Sequence, residues 1–265
     1  MTSECLQLQA MNPNLCIKND ASYHDMYYMN PPAKDLSKIA SSDKVKKVQK
    51  DFEATHVRPQ RLMKTLFTDE AYVKANVDEA RLMRRLFDLA CNMQSHDTDM
   101  QLYSLFTDEE CYDLWSCNNL YWYLTHACSP VTDGLMPYRE ADLLRNILDR
   151  ADAALKEGKN QATLRFGHES CLLPLVALLE LNHYGESYPD VEKLSEQWRA
   201  YDIFPMASNV QFVFFHKKGS NDVLVKVLLN EKEAKLPVKT DVAPYYHWKD
   251  VESYYREKLD KYQHI

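Results

Sequence analysis

A long apolar run that begins just after a histidine constrains the fold more than any other feature. Residues 171–181 read Cys-Leu-Leu-Pro-Leu-Val-Ala-Leu-Leu-Glu-Leu, which is long enough for a helix and too apolar for a surface position. Upstream, residues 162–166 (Ala-Thr-Leu-Arg-Phe) have the composition of a short strand, and Gly167 frees the backbone to turn. The pattern therefore predicts a strand that passes into a buried helix, with residues 168–170 at the junction.

The junction carries a histidine and a carboxyl, His168 and Glu169. The passage from strand to helix is the place where α/β folds present their chemistry. Ser170 is predicted to cap the helix, and Pro174 is predicted to fall in its first turn, where a proline is tolerated. A solvated loop histidine beside a solvated glutamate explains the same residues, and the local sequence leaves both interpretations open.

The rest of the chain divides into three segments. Residues 1–33 predict a short helix, a strand-like stretch at 15–18 and a loop rich in tyrosine and methionine. Residues 34–158 are predicted to be helical nearly throughout, and residues 159–265 return to mixed structure. This order predicts an α/β sheet domain that is interrupted by a large all-helical insertion.

Within these segments several elements are predicted individually. The helical segment contains helices at 109–127 and 140–156, the second closed by Gly158. The last segment contains strands at 210–215 and 223–229, which are joined by a turn at 218–222. One more helix is indicated by an apolar stripe at helical spacing: Leu82, Leu86, Leu89, Ala90 and Met93.

Composition excludes some classes of function. The 39 acidic residues exceed the 32 lysines and arginines, and the net charge of −7 argues against a nucleic-acid partner. A small phosphorylated ligand is still allowed, because it needs only a local positive pocket. No apolar stretch approaches the length of a transmembrane helix, and Met1–Ala10 lacks the pattern of a secretion signal.

The seven cysteines do not form a metal-binding pattern. They contain no Cys-x-x-Cys pair, and the densest set comprises Cys111, Cys117, His126 and Cys128. Cys111 and Cys117 would lie on different faces of one helix, whereas zinc ligands are usually spaced more tightly. Buried thiols are the better interpretation, with a disulfide open if the protein is exported.

Residues 165–170, followed by Leu173-Pro174-Leu175, resemble the second active-site motif of the histidine acid phosphatases. The likeness is greatest to the multiple inositol polyphosphate phosphatase branch. Stretches at 12–15, 20–29, 110–115 and 227–233 are similar to that branch as well, in the family's order. The resemblance implies a phosphoglycerate mutase-like sheet domain with a helical insertion and no cofactor or metal.

The resemblance also implies a reaction and two site residues. In this family a histidine attacks the phosphorus and forms a phosphohistidine, which water then hydrolyses. His168 matches the second histidine, which binds a phosphoryl oxygen, and Glu169 is the candidate proton donor. The branch usually reads His-Ala-Glu, so Ser170 stands where its glutamate would fall. The implied substrates are inositol polyphosphates such as phytate, with 2,3-bisphosphoglycerate a further one.

One departure concerns the nucleophile. The family carries it in an Arg-His-Gly motif near the N-terminus, and no Arg-His-Gly occurs in this sequence. Met1 enters the family pattern after that motif, so we expect the C-terminal portion of a longer phosphatase that lacks the N-terminal strands. The parent would be periplasmic or secreted. A truncated, non-catalytic remnant or a binding module is the alternative, and the oligomeric state is left open.

Other histidines and one basic stretch are alternative candidates for a site. His24, His56 and His96 stand in short motif-like contexts without a following buried helix, and loop or helix-end positions explain them better. The helical segment also carries a group of cations that would suit a polyphosphate, although an ordinary charged helix face explains them better. That group comprises Lys44, Lys46, Lys47, Lys50, Arg58, Arg61 and Lys64.

Overall fold

The computed structural model describes residues 2–22, 26–29 and 34–262, and helices dominate these ranges. The helices are α1 (Thr2–Met11), α2 (Lys34–Ala40), α3 (Asp43–His56), α4 (Gln60–Leu66), α5 (Glu70–Asn76), α6 (Glu79–Asn92), α7 (Asp108–His126), α8 (Ala141–Glu157), α9 (Glu169–Leu178), α10 (Leu194–Gln197), α11 (Ala200–Ile203) and α12 (Trp248–Tyr262). The strands are β1 (Val210–His216), β2 (Val223–Leu229), β3 (Lys232–Glu233) and β4 (Tyr246–His247). None of the helices in these ranges has the length and apolar character needed to cross a membrane.

The sheet is small, antiparallel and centred on β2. β1 pairs with β2 along its full length, from Val210 opposite Leu229 to His216 opposite Val223. The other edge of β2 is shared by the short strands β3 and β4. The predicted strands at 210–215 and 223–229 are thus confirmed, since alternating apolar residues turn one face of β2 into the core.

The core is built around α9. Every residue from Leu173 to Leu178 is buried, so this helix is covered on all of its sides. Its neighbours are a 3-10 segment at Met136–Glu140 and the helices α7, α8 and α11. The far end of α9 is tied to α12, because the buried hydroxyl of Tyr255 donates to the carbonyl of Leu179 at 2.8 Å. The predicted buried helix is confirmed.

A second, smaller apolar cluster lies among α4, α5, α6 and the start of α7. α6 confirms the predicted helix, but its buried face is offset from the predicted stripe. Met83 and Ala90 are buried, whereas Leu89 is 53% exposed. α7 belongs to both clusters, because it contributes Leu114 to this one and Leu120 to the core around α9. The domain boundaries predicted at residues 33 and 158 stay predictions.

The ends of the long helices agree with the prediction. α7 and α8 begin and end within one residue of the predicted bounds. Gly158 closes α8 in the left-handed conformation, with φ of 64°, which a glycine adopts at little cost.

Two predicted strands do not form. Residues 15–18 and 162–166 are irregular, and neither stretch pairs with another segment within the described ranges. Strand-forming side chains are not sufficient for a strand, because the backbone must also find a hydrogen-bonding neighbour. Around 162–166 the side chains of Leu164 and Phe166 are 59% and 42% exposed.

The start of α7 is held by a capping box and by an ion pair between an exposed arginine and a buried glutamate. Thr107 caps the helix and Glu110 bonds back to its amide at 3.0 Å. Arg61 of α4 donates to the same carboxylate, with 2.7 Å between Arg61 Nε and Glu110 Oε1. This hydrogen bonding lowers the pKa of Glu110, so its carboxylate joins α4 to α7.

We predict that Glu110→Gln lowers the free energy of unfolding by about 1–2 kcal/mol at pH 7, because charge-assisted hydrogen bonds from Arg61 are lost. The folded pKa of Glu110 is depressed, so its contribution is present above the unfolded value near 4.3 and is lost as the pH falls. Urea unfolding should therefore show a larger difference from wild type at pH 7 than at pH 3.

Glu109→Gln is the matched control. Glu109 pairs with Arg58 at 2.9 Å, but its side chain is 72% exposed, so this change should cost less than about 0.5 kcal/mol. An equal loss for Glu110→Gln at pH 3 and pH 7 would contradict the role of the ionised carboxylate.

Candidate active site

The predicted site lies where the chain enters α9. His168 is the N-cap residue, with extended φ of −116° and ψ of 167°, and no side chain caps the helix. Ser170 is the second helical residue, so the prediction that it caps α9 is wrong. Pro174 is the sixth residue rather than part of the first turn, and it removes one N–H bond from the helix interior. The helix starts earlier than predicted because Glu169 already has helical backbone angles.

His168 and Glu169 are both exposed. Neither side chain forms a hydrogen bond or an ion pair with another residue of the described ranges. The amides of Cys171 and Leu172 turn back to the carbonyl of His168, at 3.0 and 3.1 Å. The N–H groups of the first turn and the helix dipole place partial positive charge next to the imidazole. A helix start with an adjacent histidine is suited to binding an anion.

Gly167 brings the chain close to its neighbours. A Cβ at this position would lie 3.2 Å from Met29 Cε and 3.9 Å from Cys171 Cβ. Its φ is not among the left-handed values, so the turn does not require the conformational freedom of a glycine. The thiol of Cys171 donates to the carbonyl of Met29 at 3.1 Å. Close packing against residues 26–29 is therefore the reason for the small residue.

Arg165 is a partly buried cation in the stretch just before His168. Its Nη2 donates to Asn146 Oδ1 at 2.6 Å, and its guanidinium carbon lies 5.9 Å from the centre of the Tyr28 ring. Its Nε is buried and has no acceptor within the described residues. Burial lowers the pKa of Arg165, and Tyr28 opposes that shift. The guanidinium thus contacts an amide and an aromatic ring rather than a carboxylate.

Glu140 is a buried acid that the sequence did not single out. It is 2% exposed at the end of the 136–140 segment, and its Oε2 has no hydrogen-bond donor among the described residues. Burial raises the pKa of Glu140 to about 8, and Asp142 adds to this while Arg139 opposes it. The only sequence signal was a glutamate between a Met-Pro-Tyr-Arg stretch and an apolar helix, which is too common to be noticed.

The remaining candidates lie away from this junction. His56 is the last residue of α3 and stacks on Phe52, and His96 is exposed after α6. His24 lies outside the described residues. His126 is buried at the end of α7, where burial and Arg139 lower its pKa to about 4.

The cysteines are free thiols, and of the seven Cys171 is the buried one. Within the described ranges no three histidine, cysteine, aspartate or glutamate side chains are arranged to hold a metal ion. Most of the predicted buried thiols are therefore only partly covered.

The cationic stretch along α3 and α4 is engaged in part. Lys46 and Lys47 pair with Asp43 and Asp51, at 3.9 and 2.5 Å. Arg58 and Arg61 pair with acidic residues of α7, as described above for Arg61. These contacts favour the charged helix face over a ligand surface.

Comparison with known families decides the class of the protein. The model of the histidine phosphatase superfamily (branch 2) matches residues 11–230, which is most of the chain. The chain belongs to this superfamily. Its helix-rich α/β architecture with a small antiparallel sheet matches the histidine phosphatase fold with a helical insertion.

The similar proteins share one description. Human multiple inositol polyphosphate phosphatase 1 is 28% identical over 134 residues, which cover 46% of this chain and 27% of that protein. The structure of the Bifidobacterium longum multiple inositol polyphosphate phosphatase with inositol hexasulfate superposes with a TM-score of 0.57 at 19% identity. The superposition covers 88% of this chain and 56% of the bacterial chain.

The same bacterial enzyme in complex with phosphate gives a TM-score of 0.59 at 19% identity, over 91% of this chain and 60% of that one. The chain therefore spans about a quarter of the human relative and less than two thirds of the bacterial structures.

We predict that Gly167→Ala changes the free energy of unfolding by less than about 1 kcal/mol, because the flexible end of Met29 can move away. Gly167→Val should cost about 1–3 kcal/mol, since a branched side chain overpacks the site. Gly158→Ala, at a left-handed φ in open space, is the comparison for pure backbone strain and should cost about 1–2 kcal/mol. If urea unfolding gives Gly167→Ala the same cost as Gly158→Ala, close packing is not the reason for the glycine.

Proposed function

We propose that His168 and Glu169 belong to a phosphomonoesterase centre that acts on inositol polyphosphates through a phosphohistidine. We further propose that these 265 residues alone bind such a ligand without hydrolysing it. The observation that carries the proposal is an exposed histidine at the start of a helix whose residues from Leu173 to Leu178 are all buried, in a chain of the histidine phosphatase superfamily.

The position of His168 supports a role in holding a phosphoryl group. Its imidazole reaches solvent next to the N–H groups of the first turn of α9, and no described residue competes for its ring nitrogens. Donors that are fixed before the ligand arrives stabilise negative charge as it builds in a transition state. Because α9 is buried on all sides, the imidazole is attached to a rigid support.

Glu169 is the proposed proton donor to the leaving alkoxide. A phosphate ester needs this proton because an alkoxide is a poor leaving group. Glu169 is adjacent to His168 and exposed, so its carboxyl can reach the same ligand. Other branches of the family read His-Asp at these two positions, whereas the inositol polyphosphate branch carries its glutamate one residue later, where this chain has Ser170.

The lack of turnover follows from the missing nucleophile. Hydrolysis through a phosphohistidine needs a histidine that attacks phosphorus, and the sequence contains no Arg-His-Gly. The described histidines outside the junction are His56 on α3, His96 after α6, His126 in the core, His183 in a turn after α9, His216 on β1 and His247 on β4, and none of them stands in an Arg-His-Gly context. The missing nucleophile therefore favours ligand binding without hydrolysis as the function of these 265 residues.

The names of similar proteins support the class of ligand. The human and bacterial relatives are multiple inositol polyphosphate phosphatases, and the bacterial one was solved with inositol hexasulfate and with phosphate. We therefore propose a small, highly charged phosphate ester as the substrate, with 2,3-bisphosphoglycerate as the second choice. By the same resemblance we propose that the whole protein acts in the periplasm or outside the cell.

We predict that the purified chain releases no phosphate from inositol hexakisphosphate above the buffer blank, because it lacks the attacking histidine. Inorganic phosphate should be measured over hours at pH 5 and pH 7. Robust release would show that another residue supplies the nucleophile.

We predict that His168→Ala weakens the binding of inositol hexasulfate about tenfold or more at pH 6, since a charge-assisted hydrogen bond is lost. Calorimetric titration measures this affinity. His96→Ala, which removes an exposed histidine far along the chain, is the matched control and should bind like wild type. Equal affinity for His168→Ala and wild type would refute the proposed site.

A further inference from the structure

His247 of β4 contacts a carboxylate with each of its two ring nitrogens. Its Nδ1 lies 3.0 Å from both carboxylate oxygens of Asp222, and its Nε2 lies 3.0 Å from Asp241 Oδ1. Asp222 is the last residue of the turn that joins β1 to β2, and Asp241 belongs to the loop between β3 and β4. One imidazole therefore connects two loops that are separate in the chain.

These contacts depend on the protonation of the ring. A neutral imidazole carries a proton on one nitrogen and a lone pair on the other, whereas an imidazolium donates from both nitrogens. An ionised carboxylate only accepts hydrogen bonds, so a neutral ring would set its lone pair against one of the two acids. Both contacts are therefore hydrogen bonds only while His247 is protonated.

Each acid is positioned by its own loop. The amide of Asp222 donates to Ser220 Oγ at 3.0 Å. In the second loop Thr240 Oγ1 donates to the carbonyl of Tyr245 at 2.7 Å, which closes the chain around Asp241. The ring of Tyr245 packs edge-on against Phe215 of β1, with 5.2 Å between the ring centres. Both loops thus present their carboxylates from defined positions.

The charged groups around the ring leave Asp222 and Asp241 as its partners. On β2, Lys226 pairs with Glu233 at 2.9 Å. The other charged side chains of the turn, of the loop and of the start of α12 are exposed and form no ion pair within the described ranges: Lys217, Lys218, Lys235, Lys239, Lys249 and Asp250. Hydrogen bonding to Asp222, and then to Asp241, raises the pKa of His247 above its ordinary value.

The turn at 217–222 also forms one wall of a cavity, whose other walls are α8 and α12. The charged residues that line this cavity are Asp152, Lys156, His216 and Glu252. Both acids pair with Arg256, at 2.8 and 2.6 Å, and His216 Nε2 bonds to a carbonyl of the turn at 2.9 Å. A displacement of the turn therefore changes the shape of the cavity.

We propose that His247 is a pH-dependent clasp that joins the 217–222 turn and the loop before β4 to the sheet. As an imidazolium it donates to both acids and fixes the turn beside the cavity. As a neutral imidazole it keeps one donor and releases the other acid. Because the folded pKa of His247 is raised, the clasp is closed below the ordinary value near 6.5 and opens as the pH rises through the folded value. The clasp is independent of the His168 site.

The test is an NMR titration of the whole chain between pH 5 and pH 9 that follows the ring nitrogens of His247 and the backbone amides. We expect the midpoint of His247 to lie above about 6.5, and the amides of 220–223 and 240–242 to change with the same midpoint. The titration is repeated in the His216→Gln background, because His216 bonds to the same turn. A midpoint at or below the ordinary value, or amides that do not follow it, would overturn the clasp.

Single substitutions separate the two contacts of the clasp. Asp222→Asn and Asp241→Asn each replace an anion by a neutral amide of the same shape, so each should lower the midpoint of His247. Asp99→Asn removes an exposed charge between α6 and α7, and it is the matched control that should leave the midpoint unchanged. In the His216→Gln background, His247→Gln should abolish the titration of the turn and loop amides.

The variants also state what contradicts the clasp. If Asp222→Asn and Asp241→Asn titrate at the wild-type midpoint, neither acid holds the proton on the ring and the clasp is overturned. Turn and loop amides that still titrate after both histidines are replaced would overturn it as well. Loss of the fold in a variant is visible in its spectrum, and the wild-type titration then decides alone.

Discussion

The complete burial of α9 is the constraint on which the rest of the structure depends. Its residues from Leu173 to Leu178 leave no face for solvent, so other elements must cover it on every side. The 136–140 segment, α7, α8 and α11 do this, and α12 holds its far end through Tyr255. A helix held in this way cannot tilt without opening the core, because protein interiors are close-packed. The residue at its start therefore has a defined position.

This rigidity contrasts with incomplete hydrogen bonding around the same junction. Three buried side-chain polar atoms lack a partner among the described residues, and one of them, Arg165 Nε, belongs to the stretch that leads into α9. The exposed side chains of Leu164 and Phe166 precede it. A well-packed support next to unsatisfied polar groups is the arrangement expected where a protein binds something rather than where it only folds.

The sequence predicted the elements whose cause is local. β2 matched to the residue, and Gly158 closes α8 as expected, because alternation and a left-handed glycine act within one segment. The stretches 15–18 and 162–166 were predicted as strands and are irregular, since a strand depends on a neighbour that no local pattern reveals. The exposure of Leu89 on α6 has the same origin, because tertiary contacts select which apolar stripe is buried.

For the site, the amino-acid sequence alone determined that a histidine and an acid precede a helix that must be buried, and it determined the superfamily to which the chain belongs. Only the tertiary structure decided that Arg165 bonds to Asn146 of α8 and that Glu140 is buried without a hydrogen-bond partner for its Oε2 among the described residues. Residues that are distant in sequence meet because the core closes around α9. The protonation of Glu140 is likewise a property of that burial, since an exposed glutamate would be ionised at neutral pH.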